Sequence, residues 1–177
     1  AASLASAEVY HFVIDPAHSN INFAVKHMQI AKVTGDFASF QGEIIYDADA
    51  PSQSSAEATV QLASIDTNNA DRDEHLNNED FFNTREHPVA TFQSTAWEVV
   101  GKDEFEVTGD LTMLGKTIPV TLEVELIGIG EGRGGETLSG WEGEVEIDRT
   151  RWGLTYGSPL AIGKNVEIEV NVEAKAK

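Results

Sequence analysis

Cysteine is absent from all 177 residues, which rules out disulfides and thiolate metal sites. The absence does not fix a compartment, because exported chains also do without bridges. Positive charge is scarce. Twelve Lys and Arg stand against 30 Asp and Glu, giving a formal net charge of −18. A chain this acidic repels polyanions, so nucleic acid is set aside as a partner. The excess charge reads as a solubility device or as an adaptation to a salty habitat. No apolar run approaches the roughly 20 residues that a membrane helix needs. The five histidines (His11, His18, His27, His75, His87) lack the paired spacing of a zinc site. There is no strand–Gly-x-Ser-x-Gly–helix elbow for a hydrolase. Inward-facing carboxylates, which acid–base catalysis requires, are few. These absences disfavour a metal site and an enzyme.

What the chain does have is alternation. In Ile118-Pro119-Val120-Thr121-Leu122-Glu123-Val124-Glu125-Leu126 every even position is apolar and almost every odd one is polar. Successive strand side chains point to opposite faces, so this segment reads as a strand with one dry and one wet face. Hydrophobic residues make up 41% of the chain, enough for one sizeable interior. The length favours a single domain, taken as residues 10–177 behind a tail of residues 1–9. That tail begins with small uncharged residues. It fits the trimmed end left by a signal peptidase, and equally a disordered extension.

The pattern recurs along the chain. A short extended lead (Tyr10–Ile14) meets the turn Asp15-Pro16. Ile21, Phe23, Val25 and His27 then share one face. Val33, Gly35 and Phe37 align, and Phe40, Gly42, Ile44 and Tyr46 align with opposite parity. One extra residue near Ala38-Ser39 reconciles the two runs, which predicts a bulge or bend there. Ala56, Ala58, Val60 and Leu62 form a further inner face. From Asp66 the period of two stops. Thr67, Asn68 and Asn69 are helix-start residues, which predicts a short helix within Ala70 to Asn77, with Phe81 and Phe82 plugging inward behind it. Strands resume with Ala90, Phe92, Ser94 and Ala96, then Phe105 to Met113, then the Ile118 segment, then Trp141 to Ile147, and finally Val166 to Val172. About eight strands with hairpin connections and one helical insert around residues 68–82 suggest an all-β sandwich or barrel. An eight-stranded antiparallel barrel is favoured, because closure removes exposed edges and leaves room for one small ligand.

Seven expected inward positions are small: Gly35, Gly42, Ala56, Ala58, Ala90, Ala96 and Gly109. They leave space in a lumen, or they relieve crowding where strands bend; the residues alone do not choose. Gly130-Glu131-Gly132-Arg133-Gly134-Gly135 has the spacing of a dinucleotide fingerprint, but no helix follows it, so it reads as a hairpin tip. Asp71-Arg72-Asp73-Glu74-His75 is rich in metal-ligand types. It fails the positional rules of a calcium loop and reads as a solvated helix start.

Other segments are specific in order and spacing: Asp15-Pro16-Ala17-His18-Ser19; Ser64-Ile65-Asp66-Thr67-Asn68 with Arg72-Asp73-x-x-Leu76; and Asp80-Phe81-Phe82 with His87-Pro88. Later come Gly109-Asp110-Leu111-Thr112-Met113-x-Gly115-x-Thr117-x-Pro119-Val120 and Ile147-x-Arg149-x-x-Trp152-Gly153-Leu154. From about Tyr10 to Ala174 the chain resembles the YceI-like family of bacterial proteins. His87 and Trp152 replace the family's usual Tyr and Phe, and both keep a ring. The resemblance implies a lipocalin-like barrel and a periplasmic or secreted location. It also implies a polyisoprenoid or similar long amphiphile in the lumen, and no catalytic residues. No cofactor is required; an isoprenoid such as ubiquinone, or a polyprenyl phosphate, would be the ligand. The wall is then expected from Phe23, Val25, His27, Phe37, Phe40, Val60, Leu62, Phe92, Leu111, Met113, Val120, Leu122, Trp141 and Val145, with Leu76, Phe81 and Phe82 covering one end. His18, Arg72, Arg149 and Tyr156, with His27, are the head-group candidates. A structural ion pair with Asp66 or Asp110 is the competing role for Arg72 and Arg149. A filled barrel serving as an interaction or stress-response module is the alternative function. Transient membrane contact and a homodimer both stay open.

Overall fold

The computed structural model describes residues 8–177. The predicted tail, residues 1–9, lies mostly outside them, and its last residue, Val9, opens the first strand. The alternating segments become eleven strands: β1 Val9–Ile14, β2 Asn20–His27, β3 Ala31–Phe37, β4 Phe40–Asp47, β5 Ser55–Gln61, β6 Ile65–Asp66, β7 Val89–Gly101, β8 Glu104–Met113, β9 Lys116–Glu131, β10 Thr137–Asp148 and β11 Ile162–Ala176. The helix α1 spans Ala70–Asn77. The ladders run β1–β4–β5–β7–β8–β9–β10–β11, and β1 pairs back onto β11. Every pairing is antiparallel, so this is a closed eight-stranded antiparallel barrel.

Three staves of the barrel are kinked, which accounts for eleven segments in eight strands. β1 and β2 are halves of one stave, separated by a 3-10 turn over Pro16–His18 that Asp15 caps through Ala17 N at 2.9 Å. β3 and β4 are halves of the next, broken at Ala38-Ser39 where the change of parity predicts a bend. β5 and β6 flank a second 3-10 turn at Leu62–Ser64. Ser64 ties the last two kinks together. Its Oγ accepts from Ser39 N at 3.0 Å and donates to Gln61 O at 2.6 Å, while its carbonyl accepts from Ala38 N at 3.1 Å.

The chain leaves the wall after β6 and re-enters at β7, and the insert carrying α1 lies between. Asn69 caps the helix by accepting from Arg72 N at 2.9 Å. Asp73 accepts from both Thr67 N and Thr67 Oγ1, at 2.9 and 2.5 Å, which fastens the first turn to the preceding segment. The acidic run is thus a capped helix start. The Gly130–Gly135 run is the β9–β10 hairpin tip, as its lack of a following helix requires.

Candidate functional site: an apolar cavity between two cores

Inward side chains gather into two clusters, one near each end of the barrel. The floor is aromatic: Phe12, Tyr46, Trp97, Phe105 and Trp141 pack with Ile44, Val107 and Leu126. Tyr46 meets Trp141 edge-on at 5.2 Å, and Trp97 meets Trp141 at 6.0 Å. The upper cluster holds Leu62, Ala90, Met113, Ile147, Trp152 and Leu154, with Phe37, Phe81 and Phe82 packed on it. Between them lies a cavity of about 330 Å³ lined almost wholly by carbon. That volume falls at the lower end of the range for small-molecule sites.

Sixteen of the seventeen residues expected to line the lumen or cover its end border this cavity. Phe23, Val25, Phe37 and Phe40 line it from β2, β3 and β4. Val60 and Leu62 line it from β5 and the turn after it. Phe92, Leu111 and Met113 come from β7 and β8, and Val120, Leu122, Trp141 and Val145 from β9 and β10. Leu76, Phe81 and Phe82 reach it from the insert, where Phe82 meets the Phe37 ring edge-on at 6.1 Å. His27 does not border it. It is the last residue of β2, beside the hairpin turn, and its ring is exposed.

The small residues divide by type. Ala56, Ala58 and Ala90 line the open space. Gly35 and Gly109 do not leave space, because aromatic rings fill it. A Cβ on Gly35 would lie 2.6 Å from the Phe23 ring, and one on Gly109 would overlap the Phe92 ring and sit 2.7 Å from the Gln93 carbonyl. Ala96 is exposed. The β7 ladder slips between Ser94 and Ala96, so Trp97, not Ala96, turns inward. The signal for this was the tryptophan itself, an aromatic out of phase beside an alanine. Trp97 also differs from the other two indoles. Trp141 Nε1 donates to Ser139 Oγ at 2.9 Å and Trp152 Nε1 to Leu111 O at 3.0 Å, whereas Trp97 Nε1 has no partner among the described residues.

The head-group candidates separate too. Arg149 is 5% exposed and is the one that borders the cavity. It donates from Nε to Gly163 O at 2.9 Å, from Nη2 to Ile162 O at 3.0 Å, and from Nη1 to Leu154 O. Burial pushes its pKa below the usual guanidinium value, partly countered by the neighbouring Asp148 charge. It stays protonated, because a guanidinium does not lose its proton in a protein. Arg72 is bonded to Thr67, through Nε to Oγ1 and Nη2 to the carbonyl, both at 2.7 Å. Among the described residues neither arginine pairs with Asp66 or Asp110, so their structural bonds go to carbonyls and a hydroxyl instead of the carboxylates expected. Tyr156 is half-exposed and meets His75 edge-on at 4.9 Å and Phe81 at a tilt at 5.1 Å, outside the cavity lining. His18 sits on the outer surface. It bonds to Asp15 at 2.9 Å and lies 3.6 Å from Glu173. The Asp15 bond and the Glu173 charge raise the His18 pKa, and the same bond lowers that of Asp15.

A larger concavity of about 870 Å³ lies on the outer face of β9, β10, β11, β2 and β3, bordered by Asp36, Asp66, Glu123, Glu144, Glu146, Glu167 and Glu169. It is a wet, acidic surface and shares little with the lumen.

The same architecture occurs in known proteins. The YceI-like domain matches residues 12–174 of this chain. Protein YceI of Escherichia coli O157:H7 is 40% identical over 147 residues, covering 82% of this chain and 76% of that protein. The crystal structure of Burkholderia cenocepacia BcnA superposes with a TM-score of 0.83 at 25% identity, covering 90% of this chain and 98% of that one. A polyisoprenoid-binding domain from Saccharophagus degradans has the same fold, with a TM-score of 0.69 at 18% identity over 96% of this chain and all of that one. With a closed eight-stranded barrel, a capped insert over one end and a family match over nearly its whole length, the chain belongs to the YceI-like family.

Proposed function

We propose that this protein binds a long-chain isoprenoid lipid in its lumen and carries or sequesters it, in the periplasm or outside the cell. The carrying observation is the apolar cavity between the two core clusters, a place for hydrocarbon and for little else. The Saccharophagus degradans domain of the same fold, a polyisoprenoid-binding domain, supports the ligand class. An isoprenoid quinone such as ubiquinone, or a polyprenyl phosphate, carries a tail that matches this lining in chemistry, and a cavity of about 330 Å³ takes part of such a tail. Each buried methylene gains ~0.8 kcal/mol. A forty-carbon tail summed this way passes the ~20 kcal/mol ceiling on binding, so the tail's preference for the membrane and its ordering must offset most of the gain. Exchange with a membrane, not tight capture from water, is therefore the working regime.

For the head group Arg149 is the best placed. A guanidinium has five N–H donors and three are taken by carbonyls. The remaining donors suit a quinone or phosphate oxygen. Among the described residues no side chain is set up as a catalyst, which favours a binding role over an enzymatic one. The open cavity speaks against a filled barrel acting as an interaction module.

Organic extraction of the purified protein, followed by mass spectrometry, tests this. A co-purified polyprenyl lipid, or saturable uptake of added ubiquinone, is the expected result. Repeated empty extracts together with no uptake of ubiquinone or polyprenyl phosphate would sink the proposal.

A further inference from the structure

The β2–β3 hairpin breaks two rules of surface chemistry. Its turn, closed by Ile30 N donating to His27 O at 3.2 Å, has Met28 and Gln29 both in the left-handed region, at φ 52° and 59°. Turns of this kind normally take Gly, which has no Cβ to strain, or Asn, whose short polar side chain bonds locally and tolerates the left-handed region. The strained turn also holds apolar groups out in water. Ile30 is 89% exposed and Met28 55%. A second loop joins it: Met28 N donates to Ala161 O and Gln29 Nε2 to Pro159 O, each at 2.9 Å, and Leu160 between those two residues is 74% exposed. The two loops therefore form one protrusion with three apolar tips.

The position and charge of this protrusion identify its partner. Ile162, which lines the cavity, pairs with His27, the residue immediately before Met28, so the tips stand on the rim of the lumen. Behind them Lys26 and Lys32 sit directly opposite each other in the β2–β3 ladder, and Lys164 follows Gly163, which packs on Lys26. Lys32 is paired with Glu167 and Lys164 with Asp148, while Lys26 has no carboxylate at ion-pair distance among the described residues. In a chain of net charge −18 this sets three lysines, one of them without a paired carboxylate, just behind a greasy tip. Lysines on long stems reach the phosphate level while neighbouring apolar side chains enter the acyl boundary.

We propose that Met28, Ile30 and Leu160 are a membrane-insertion tip that docks the barrel mouth onto a phospholipid bilayer. The proposal rests on the lipid-carrier reading and adds where the exchange takes place. Insertion of apolar tips drives docking, and the net charge opposes it. Zwitterionic vesicles should therefore bind better than anionic ones, and added salt should strengthen binding to anionic vesicles. A polybasic surface would show the reverse.

The test uses the full chain, Ile30→Asp/Leu160→Asp, and Val99→Asp as control; Val99 is 55% exposed at the floor end. Each is floated with phosphatidylcholine vesicles and with 3:1 phosphatidylcholine:phosphatidylglycerol vesicles. Its oligomeric state is read by sedimentation. The double variant should lose at least tenfold in vesicle partitioning and in the rate of ubiquinone uptake from vesicles. It should keep uptake of detergent-dispersed ubiquinone, and Val99→Asp should match the parent. A parent protein that takes up dispersed ubiquinone yet never floats overturns the tip and spares the carrier reading. An equal loss in Val99→Asp overturns the tip as well. A parent dimer that the double variant converts to monomer, with vesicle binding unchanged, makes a second copy the occupant and also overturns it. Flotation without ubiquinone uptake by either route upholds the tip and rejects the carrier.

Discussion

Arg149 offers the sharpest separation between scaffold and site. Replacing it with Met keeps much of the side-chain volume and removes three hydrogen bonds, leaving the carbonyls of Gly163, Ile162 and Leu154 without their donor. An orphaned buried polar group costs about 1–3 kcal/mol. Three at the low end give a loss of about 3 kcal/mol. The low end applies because removing the cation also returns its burial cost, the same cost that lowers its pKa. For a chain of this size 1 kcal/mol moves Tm by about 2–4 °C, so Arg149→Met should melt about 6–12 °C lower by circular dichroism. Arg149→Lys keeps the charge, but a single ammonium cannot fork across three carbonyls, so it should recover less than half of the loss. If Arg149→Met melts within 2 °C of the parent, the clamp is not what holds this corner. If it melts normally but fails to take up ubiquinone, Arg149 serves the head group instead.

Gly109→Ala should cost about 1–3 kcal/mol by chemical denaturation, since its Cβ would overlap the Phe92 ring. The penalty should shrink in a Phe92→Ala background, and an additive cycle would refute the packing argument. His18 titrates above the usual value near 6.5 because of the Asp15 bond and then the Glu173 charge, and Asp15 titrates below the usual 3.8 because of His18. The His18 contribution is complete below 6.5 and lost as pH rises through its raised value. The Asp15 contribution is present above 3.8 and lost as pH falls through its lowered value, so the pair supports the β1–β2 turn best between these limits. An NMR titration of His18 should move toward the ordinary value in Asp15→Asn; an unmoved midpoint rejects the pairing. Glu144→Gln removes two like-charge contacts, with Glu123 and Glu169, each worth about 0.2–1 kcal/mol. It should raise Tm at 10 mM salt and have almost no effect at 0.5 M; a gain that persists in high salt would assign the effect to something other than charge.

How much of this was legible depended on how local its cause is. Parity along each strand placed the wall, because the pleat alone sends alternate side chains inward. The bend at Ala38-Ser39 showed as a change of parity, and α1 showed as capping residues before a lapse in the period of two. Three features escaped for one shared reason: each depends on how a second segment folds back against the first. The slip at Ser94/Ala96 that turns Trp97 inward belongs to the β7–β8 ladder. The filling of Gly109 by the Phe92 ring belongs to two strands at once. The carbonyls that hold Arg149 belong to Leu154 in the loop after it and to Ile162 and Gly163 at the start of β11, and nothing in the spacing says that the guanidinium turns toward them and away from Asp66 or Asp110.

Register carries a further consequence. Alternation sends the carboxylates outward on each strand, but only the ladders decide what faces what. Glu98 is opposite Glu106, Glu106 opposite Glu123, Glu123 opposite Glu144, and Glu144 opposite Glu169. The line continues through Asn22 and Asp36 to Asp66. Five directly opposed carboxylate pairs stand in one row around the barrel. At about 0.2–1 kcal/mol each they cost about 1–5 kcal/mol at low salt. The sheet cannot slip to escape this cost. A shift of one residue would turn the apolar lining to water, and a shift of two would break every hairpin in a closed ring. The row is thus the other face of the lumen: the register that keeps the cavity dry also brings the carboxylates together. The two core clusters must offset a repulsion that rises as salt falls.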